Sequence, residues 1–125
     1  MKMKMLHPIT VFLVLLFLAG PIHAHHGTAA YDMSKSLTLK GVVTSYEFVN
    51  PHAKIRVDVN DENGHTVNWL AETNNPNRLA RRGWNRNVLK PGDVITITGN
   101  PVKSGALNLR LTKVVLADGR ELDPL

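Results

Sequence analysis

The stretch from Ala53 to Val59, Ala-Lys-Ile-Arg-Val-Asp-Val, decides the fold class of this 125-residue chain. Apolar and charged residues alternate in it with a period of two, which is typical of a β-strand with one buried and one exposed face. Asn63-Gly64 follows and predicts a hairpin turn, because both residues tolerate positive φ. The alternation resumes from Val67 to Ala71. The sequence therefore predicts a hairpin formed by the second and third strands of a β domain.

The first strand is predicted from Leu37 to Phe48. Its apolar residues change face partway along, from Leu39 and Val43 on one face to Tyr46 on the other. Such a change inside one strand indicates a bulge or a sharp coil. Gly41 is where we expect this bend, because glycine bends a strand at the lowest cost.

After the third strand the sequence predicts one short helix. Asn75 is a suitable N-cap, Pro76 suits the first turn, and Arg78 to Arg82 can be helical. Gly83 can end the helix.

Two further strands, Val94 to Thr98 and Leu107 to Leu116, precede a turn at Asp118-Gly119. Three strands, a short helix and two strands is the element order of an oligonucleotide/oligosaccharide-binding (OB) barrel. Closure of the barrel removes the exposed edges of a lone sheet. The predicted fold is mainly β, a small five-stranded OB-like barrel with one short helix between strands 3 and 4. A small open sandwich of the same strands is the alternative.

The start of the chain has the pattern of a secretory signal peptide. Lys2 and Lys4 supply positive charge, an apolar run from Ile9 to Ala19 follows, and small residues lead to a cut after Ala24. We therefore expect a periplasmic or secreted protein. The predicted division is a signal peptide at 1–24, an N-terminal arm at 25–36 and the barrel domain at 37–125.

Composition excludes several kinds of site. The chain has 15 Lys and Arg against 10 Asp and Glu, and loss of Lys2 and Lys4 with the leader reduces the formal charge from +5 to +3. This modest surplus does not indicate a nucleic-acid partner. There is no cysteine, which excludes disulfides, thiol catalysis and thiolate metal sites. No apolar stretch after the leader reaches membrane-spanning length.

Sequence signatures of enzymes are absent: there is no Gly-x-Ser-x-Gly elbow, phosphate-binding loop, dinucleotide fingerprint or His-Glu-x-x-His pair. The sequence gives no argument for catalysis, although an unrecognised hydrolase is left open. We expect a binding module instead, whose partner is a small ligand, a metal ion or a periplasmic protein.

Histidines next to the predicted cut form the first candidate site. If His25 becomes the first residue, its α-amino group and ring can chelate one metal, and His26 or His52 can supply a third nitrogen. Such donors suit Cu(II), and the arrangement resembles the histidine brace of exported copper proteins. A cut before Ala24 would instead place a histidine third, another amino-terminal copper arrangement. The competing interpretation is a solvated chain end, with His52 only shaping a turn.

A basic and aromatic cluster forms the second candidate site. Arg78, Arg81 and Arg82 can share one helix face, and guanidinium groups near the indole of Trp84 can hold an anion or a stacked ring. The competing interpretation is a solvated helix end with Trp84 plugging the barrel. On the third strand, Glu72 is a candidate partner for a metal-binding histidine.

Several segments in one order resemble an uncharacterised family of small exported bacterial proteins. The resemblance implies an exported β domain and no established activity. It marks His26, His52, Asn77, Arg81 and Trp84 as the motif residues, so Asn77 joins the arginine and tryptophan candidates. Where family members commonly carry a Gly-Ser-Pro-Asn-like segment, this chain has Asn74-Asn75-Pro76-Asn77. The matching segments are His25-His26-Gly27, Gly41-Val42-Val43-Thr44, Asn50-Pro51-His52, Asn68-Trp69, Pro76-Asn77-Arg78-Leu79, Arg81-Arg82-Gly83-Trp84, Leu89-Lys90-Pro91-Gly92-Asp93 and Leu116-Ala117-Asp118-Gly119-Arg120.

Overall fold

The computed structural model of the protein describes residues 27–125. Among these residues, no helix is long and apolar enough to cross a membrane. The elements in chain order are β1 (Leu37–Glu47), β2 (Lys54–Asn60), β3 (Thr66–Glu72), α1 (Pro76–Ala80), β4 (Val94–Pro101), β5 (Asn108–Leu116) and β6 (Glu121–Leu122).

The predicted hairpin is formed by β2 and β3, which pair antiparallel in register with Val57 opposite Trp69. Ile55 and Val57 are fully buried while Arg56 between them is exposed, as the alternation predicts. The turn is held by Asp61, whose carboxylate accepts the backbone N–H groups of Asn63 and His65.

Five strands close into a barrel, which confirms the predicted architecture over the open sandwich. The strand order is β3-β2-β1-β4-β5, and β5 returns to pair in parallel with β3. The short β6, which follows the predicted turn at Asp118-Gly119, pairs antiparallel with β5 and lies outside the predicted set of five.

The predicted irregularity in β1 is confirmed, but its position differs. The register against β2 shifts between Val43 and Ser45, so the bulge is at Thr44 rather than at Gly41. Gly41 has another role, because a Cβ there would collide with the carbonyl oxygen of Asp58. The residue next to it, Val42, pairs with both β2 and β4. Gly41 therefore permits close approach where β1 passes from one neighbour to the other.

Helix α1 begins at Pro76 after the predicted N-cap Asn75, which confirms its predicted start, but it ends at Ala80, before the predicted end at Arg82. The Asn75 side chain accepts the N–H of Arg78, which sets the first turn at Pro76. The N–H of Gly83, at φ +85°, donates to the Ala80 carbonyl and ends the turn. Arg81 is consequently the C-cap, and Arg82 lies beyond the helix.

Strand β4 extends to Pro101, beyond the predicted end at Thr98. Its register against β5 shifts between Thr98 and Gly99, and a Cβ at Gly99 would collide with the Arg110 carbonyl oxygen. The bulge lets the strand bend and continue pairing. The barrel interior holds the buried cluster Val43, Ala53, Ile55, Val57, Val59, Ala71, Leu79, Trp84, Leu89, Ile95, Ile97, Leu109, Leu111 and Val114.

Candidate functional site

One cavity at an end of the barrel collects polar side chains from separate parts of the chain. Its volume is about 120 Å³. The N-terminal arm supplies one wall, the β1–β2 connection and the end of β3 supply a second, and β5 supplies a third. The lining residues are Gly27, Thr28, Tyr31, His52, Glu72, Thr73, Asn74, Arg110, Leu111 and Leu125.

The described part of the arm is docked on the barrel. Tyr31 is only 7% exposed and forms an antiparallel bridge with Val102. The N–H of Asp32 donates to the Pro101 carbonyl at 2.8 Å, and the N–H of Lys103 donates to the Ala30 carbonyl at 2.9 Å. These bonds fix the chain immediately after Gly27 and Thr28 against the cavity.

His52 enters the cavity wall from the turn before β2. Its Nδ1 lies 3.0 Å from the carbonyl oxygen of Thr73. A carbonyl oxygen only accepts hydrogen bonds, so Nδ1 carries the proton and donates. In the neutral ring Nε2 then keeps its lone pair, which is the form of histidine that binds a metal.

The backbone around this contact is well anchored. The N–H of Ala53 donates to the Asn74 carbonyl at 3.0 Å, and the N–H of Thr73 donates to the Ala53 carbonyl at 3.0 Å. The Thr73 carbonyl that orients His52 therefore belongs to a segment, Thr73 and Asn74, that is hydrogen-bonded to Ala53, the residue after His52. A histidine held through Nδ1 by a backbone carbonyl has the same support that protein metal sites commonly use.

Glu72 and Arg110 are neighbours across the parallel β3–β5 pairing. The Tyr31 Oη donates a 2.7 Å hydrogen bond to Glu72 Oε2. Burial of the phenol, this hydrogen bond and the negative charge of Glu72 raise the pKa of Tyr31 far above its ordinary value, while the positive charge of Arg110 acts in the opposite direction. The tyrosine stays protonated and remains a donor at any physiological pH.

Two of the predicted metal-binding residues, His25 and His26, lie outside the described residues. The third, His52, lies in the cavity together with Glu72. Within residues 27–125 no three His, Asp or Glu side chains are grouped so that they could hold a metal. His65 lies apart, exposed beside the hairpin turn, with its Nδ1 3.7 Å from Asp61.

The arginine and tryptophan candidates lie elsewhere on the surface and in the core. Trp84 is 2% exposed and its Nε1–H donates to the Asp123 carbonyl at 3.0 Å, so its ring offers no open face to a ligand. Arg82 forms an ion pair with the Asp123 side chain. Four members of the predicted set are exposed on or next to α1: Asn77, Arg78, Arg81 and Arg82.

Sequence reasoning did not identify Arg110 or Tyr31 as part of a site. One feature of the sequence could have drawn attention to Tyr31: it is the only large aromatic residue in the otherwise polar arm. Arg110 alternates with Leu109 and Leu111, which places it on the outer face of β5 without saying what it faces. Only the pairing of β5 with β3 brings it beside Glu72.

Comparisons with known proteins give a family and a distant structural likeness. No curated protein matches the chain. The crystal structure of a complex of TiaS with transfer RNA and ATP contains a similar chain, with 21% identity and a TM-score of 0.48. The match covers 69% of this chain but only 19% of that one. A family model, described as a family of unknown function, matches residues 14–109, which is more than half of the chain. The protein therefore belongs to the DUF6152 family.

Proposed function

We propose that this protein is an exported periplasmic module that binds a copper ion through His25, His26 and His52. The observation that carries the proposal is that Gly27 and Thr28 line the same cavity as His52. Successive Cα atoms are about 3.8 Å apart, so His26 is attached directly to a residue of the cavity wall. The docked arm thus supports the proposal that His25 and His26 bind the same ion as His52.

The strongest donor in the proposed site is the α-amino group of His25, which exists only if the leader is cleaved during export. Cleavage after Ala24 frees the α-amino group of His25, which can bind a metal together with the ring of the same residue. A chelate of this kind requires the authentic start, because one additional residue moves the free amine away from the ring. The pattern of Lys2, Lys4 and the apolar run from Ile9 to Ala19 supports this processing.

Copper is the metal that this donor set favours. Amine and imidazole nitrogens bind Cu(II) more tightly than other divalent first-row metals. The chain has no cysteine, so a thiolate site for zinc or for an iron–sulfur cluster is excluded. The Thr73 carbonyl leaves Nε2 of His52 as the available ring nitrogen.

The test is a Cu(II) competition titration of the processed protein. We expect one equivalent to bind tightly when the chain starts at His25, and at least about tenfold weaker binding after His52→Ala or with an additional N-terminal Met. His65→Ala is the matched control, because this histidine is exposed beside the β2–β3 turn. Equal affinity in the His52→Ala and His65→Ala variants would refute the proposed site.

A second candidate function is anion recognition by the exposed arginines near α1. From residue 73 to residue 92 the chain has no Asp or Glu, and its basic side chains are Arg78, Arg81, Arg82, Arg86 and Lys90. Within the described residues, the ion pairs of this segment involve Arg82 alone. A positively charged surface of this kind suits an acidic polypeptide. Electrostatic attraction would drive binding, because Trp84 is buried and cannot stack against a ligand.

Polyglutamate is a suitable probe for this second function. Its binding should weaken with salt, fall after Arg81→Gln, and be unaffected by chelators. Arg56→Gln on the outer face of β2 is the control, since Arg56 is exposed on a different surface. Salt-independent binding, or an equal effect of both variants, would exclude this function.

A further inference from the structure

We propose that the cavity lined by Glu72 and Arg110 binds a small zwitterion, an α-amino acid with a small side chain. The ligand carboxylate binds the Arg110 guanidinium, and the ligand ammonium group binds the Glu72 carboxylate. The site uses only residues that the structure describes, and the inference does not rest on the proposed copper site.

Two opposite charges line this cavity without pairing with each other. Glu72 and Arg110 are register neighbours on the parallel strands β3 and β5, and both are half-buried. Among residues 27–125, none of the ion pairs within 4 Å involves either of them. A partly buried charge has lost part of its hydration and is stabilised by a partner. The cavity therefore offers one negative and one positive group, each able to bind a further partner.

This pair of charges selects the class of ligand. A simple carboxylate would be attracted by Arg110 but repelled by Glu72, and a simple amine would meet the reverse. A zwitterion satisfies both groups. In an α-amino acid the ammonium nitrogen and the carboxylate carbon are about 2.5 Å apart, because both are bonded to the same carbon. Such a molecule can therefore lie between two side chains that are too far apart to pair directly.

The size of the cavity limits the ligand. Its volume of about 120 Å³ is well below the roughly 300–1,000 Å³ of sites for drug-sized molecules. Leu111 and Leu125 add apolar surface to the wall. The space suits a molecule of a few non-hydrogen atoms, such as glycine or alanine.

The carboxylate of Glu72 is already oriented for an ammonium group. The Tyr31 phenol donates to Oε2 at 2.7 Å, and the hydrogen bonds within residues 27–125 leave Oε1 unused. Tyr31 is itself fixed by burial and by its bridge to Val102. On the other side, the planar guanidinium of Arg110 matches a carboxylate, to which it can donate two parallel hydrogen bonds.

The hydroxyl of Thr73 is a second, independent indication of a ligand. Thr73 lines the cavity and is only 8% exposed, and its Oγ1 has no hydrogen-bond partner among the described residues. Buried hydroxyl groups normally have a partner, because an unsatisfied one costs free energy. A ligand carboxylate in the cavity gives this hydroxyl an acceptor.

The test is a nuclear magnetic resonance titration of the processed protein with glycine, after removal of metal by dialysis against a chelator. We expect glycine to shift the backbone amide signals of Thr73 and Leu111. Its affinity should fall at least about tenfold after Arg110→Gln and after Glu72→Gln, because each variant removes one charge-assisted contact. Arg56→Gln and Glu47→Gln, at exposed positions outside the cavity, are the matched controls.

Two further measurements check the parts of the site. Acetate and methylamine each carry one of the two charges, and both should bind at least about tenfold more weakly than glycine. Thr73→Val should weaken glycine binding about threefold without lowering the unfolding temperature, because the hydroxyl has no partner in the protein to lose. Unchanged glycine affinity in Thr73→Val would remove this hydroxyl from the site.

Three results would overturn the zwitterion site. The first is a glycine titration that leaves the cavity amides unshifted, and the second is equal affinity for glycine and acetate. The third is binding that requires added Cu(II), because glycine would then enter as a ligand of the metal. Since the titration uses metal-free protein, this site and the copper site can each fail without the other.

Discussion

Tyr31 and Glu72 are joined by a hydrogen bond of 2.7 Å between residues 41 positions apart in the sequence. The bond connects the N-terminal arm to the end of β3, beside the strand pairing that closes the barrel. The arm is thereby held against the cavity that His52 also lines. The arm therefore forms one wall of this cavity.

Removal of this bond should loosen the arm. Tyr31→Phe keeps the ring but leaves Glu72 Oε2 without its donor, so we expect the free energy of unfolding to fall by about 1–2 kcal/mol. Hydrogen exchange should accelerate at Asp32 and Lys103, whose N–H groups hold the arm. Thr38→Val is the control, because it removes an exposed hydroxyl contact with Thr98. Unchanged exchange at both amides would contradict the account.

Alkaline pH should destabilise the fold through its buried phenols. Partial burial raises the pKa of Tyr46 from 10.0 to about 12, and its hydroxyl donates to the Asn85 carbonyl. A group with a raised pKa in the folded state contributes its full stability below the unfolded value of 10.0, and loses it as pH rises through the folded value. We expect the free energy of unfolding to decline above pH 10. Denaturant titrations of Tyr46→Phe should show a shallower decline than the wild type, and an identical slope would refute this assignment.

Gly41 should tolerate no side chain. A Cβ there would meet the Asp58 carbonyl oxygen and the side chain of Val57. Gly41→Ala must push β1 away from β2, and we expect a loss of about 1–3 kcal/mol. The adjacent Lys40→Ala is the control, because this exposed side chain should change stability by less than about 0.5 kcal/mol. Chemical denaturation measures both, and equal effects would show that the close approach is unimportant.

Arg110 should oppose the metal. Its positive charge lies in the same cavity as His52 and Glu72, so it repels a bound cation. Arg110→Gln should therefore raise the Cu(II) affinity roughly threefold to tenfold, on the order of 1 kcal/mol. Arg56→Gln, outside the cavity, should leave the affinity unchanged. Weaker Cu(II) binding after Arg110→Gln would instead indicate that the arginine supports the site.

The hairpin of β2 and β3 could be predicted because a strand with one buried face shows a direct alternation of apolar and polar residues in its sequence. Ile55 and Val57 alternate with charged residues, and Asn63-Gly64 marks the turn. The bulge in β1 was predicted from the change of face, but its position at Thr44 depends on which strand β1 pairs with at each point. Which strand β1 pairs with is set by the arrangement of all the strands in the barrel, so the sequence of β1 alone does not predict the position of the bulge.

The candidate cavity could be predicted only in fragments. His52 and Glu72 were visible as polar residues near strand ends, but their proximity depends on the backbone bonds that tie Ala53 to Thr73. Arg110 reaches Glu72 only through the parallel closure of β5 onto β3. Trp84 follows the short helix in the sequence, yet it is buried with Leu79 in the hydrophobic core, and its Nε1–H donates to the Asp123 carbonyl.

We propose that the N-terminal amine of His25 and the ring of His52 bind one copper ion. The most direct test measures the Cu(II) dissociation constant for four proteins: chains starting at His25 or at an additional Met, each with and without His52→Ala. If both groups bind the same ion, His52→Ala should weaken binding at least about tenfold in the His25-start protein and far less in the Met-extended one. An equal loss in both backgrounds, or no loss in either, would contradict the claim.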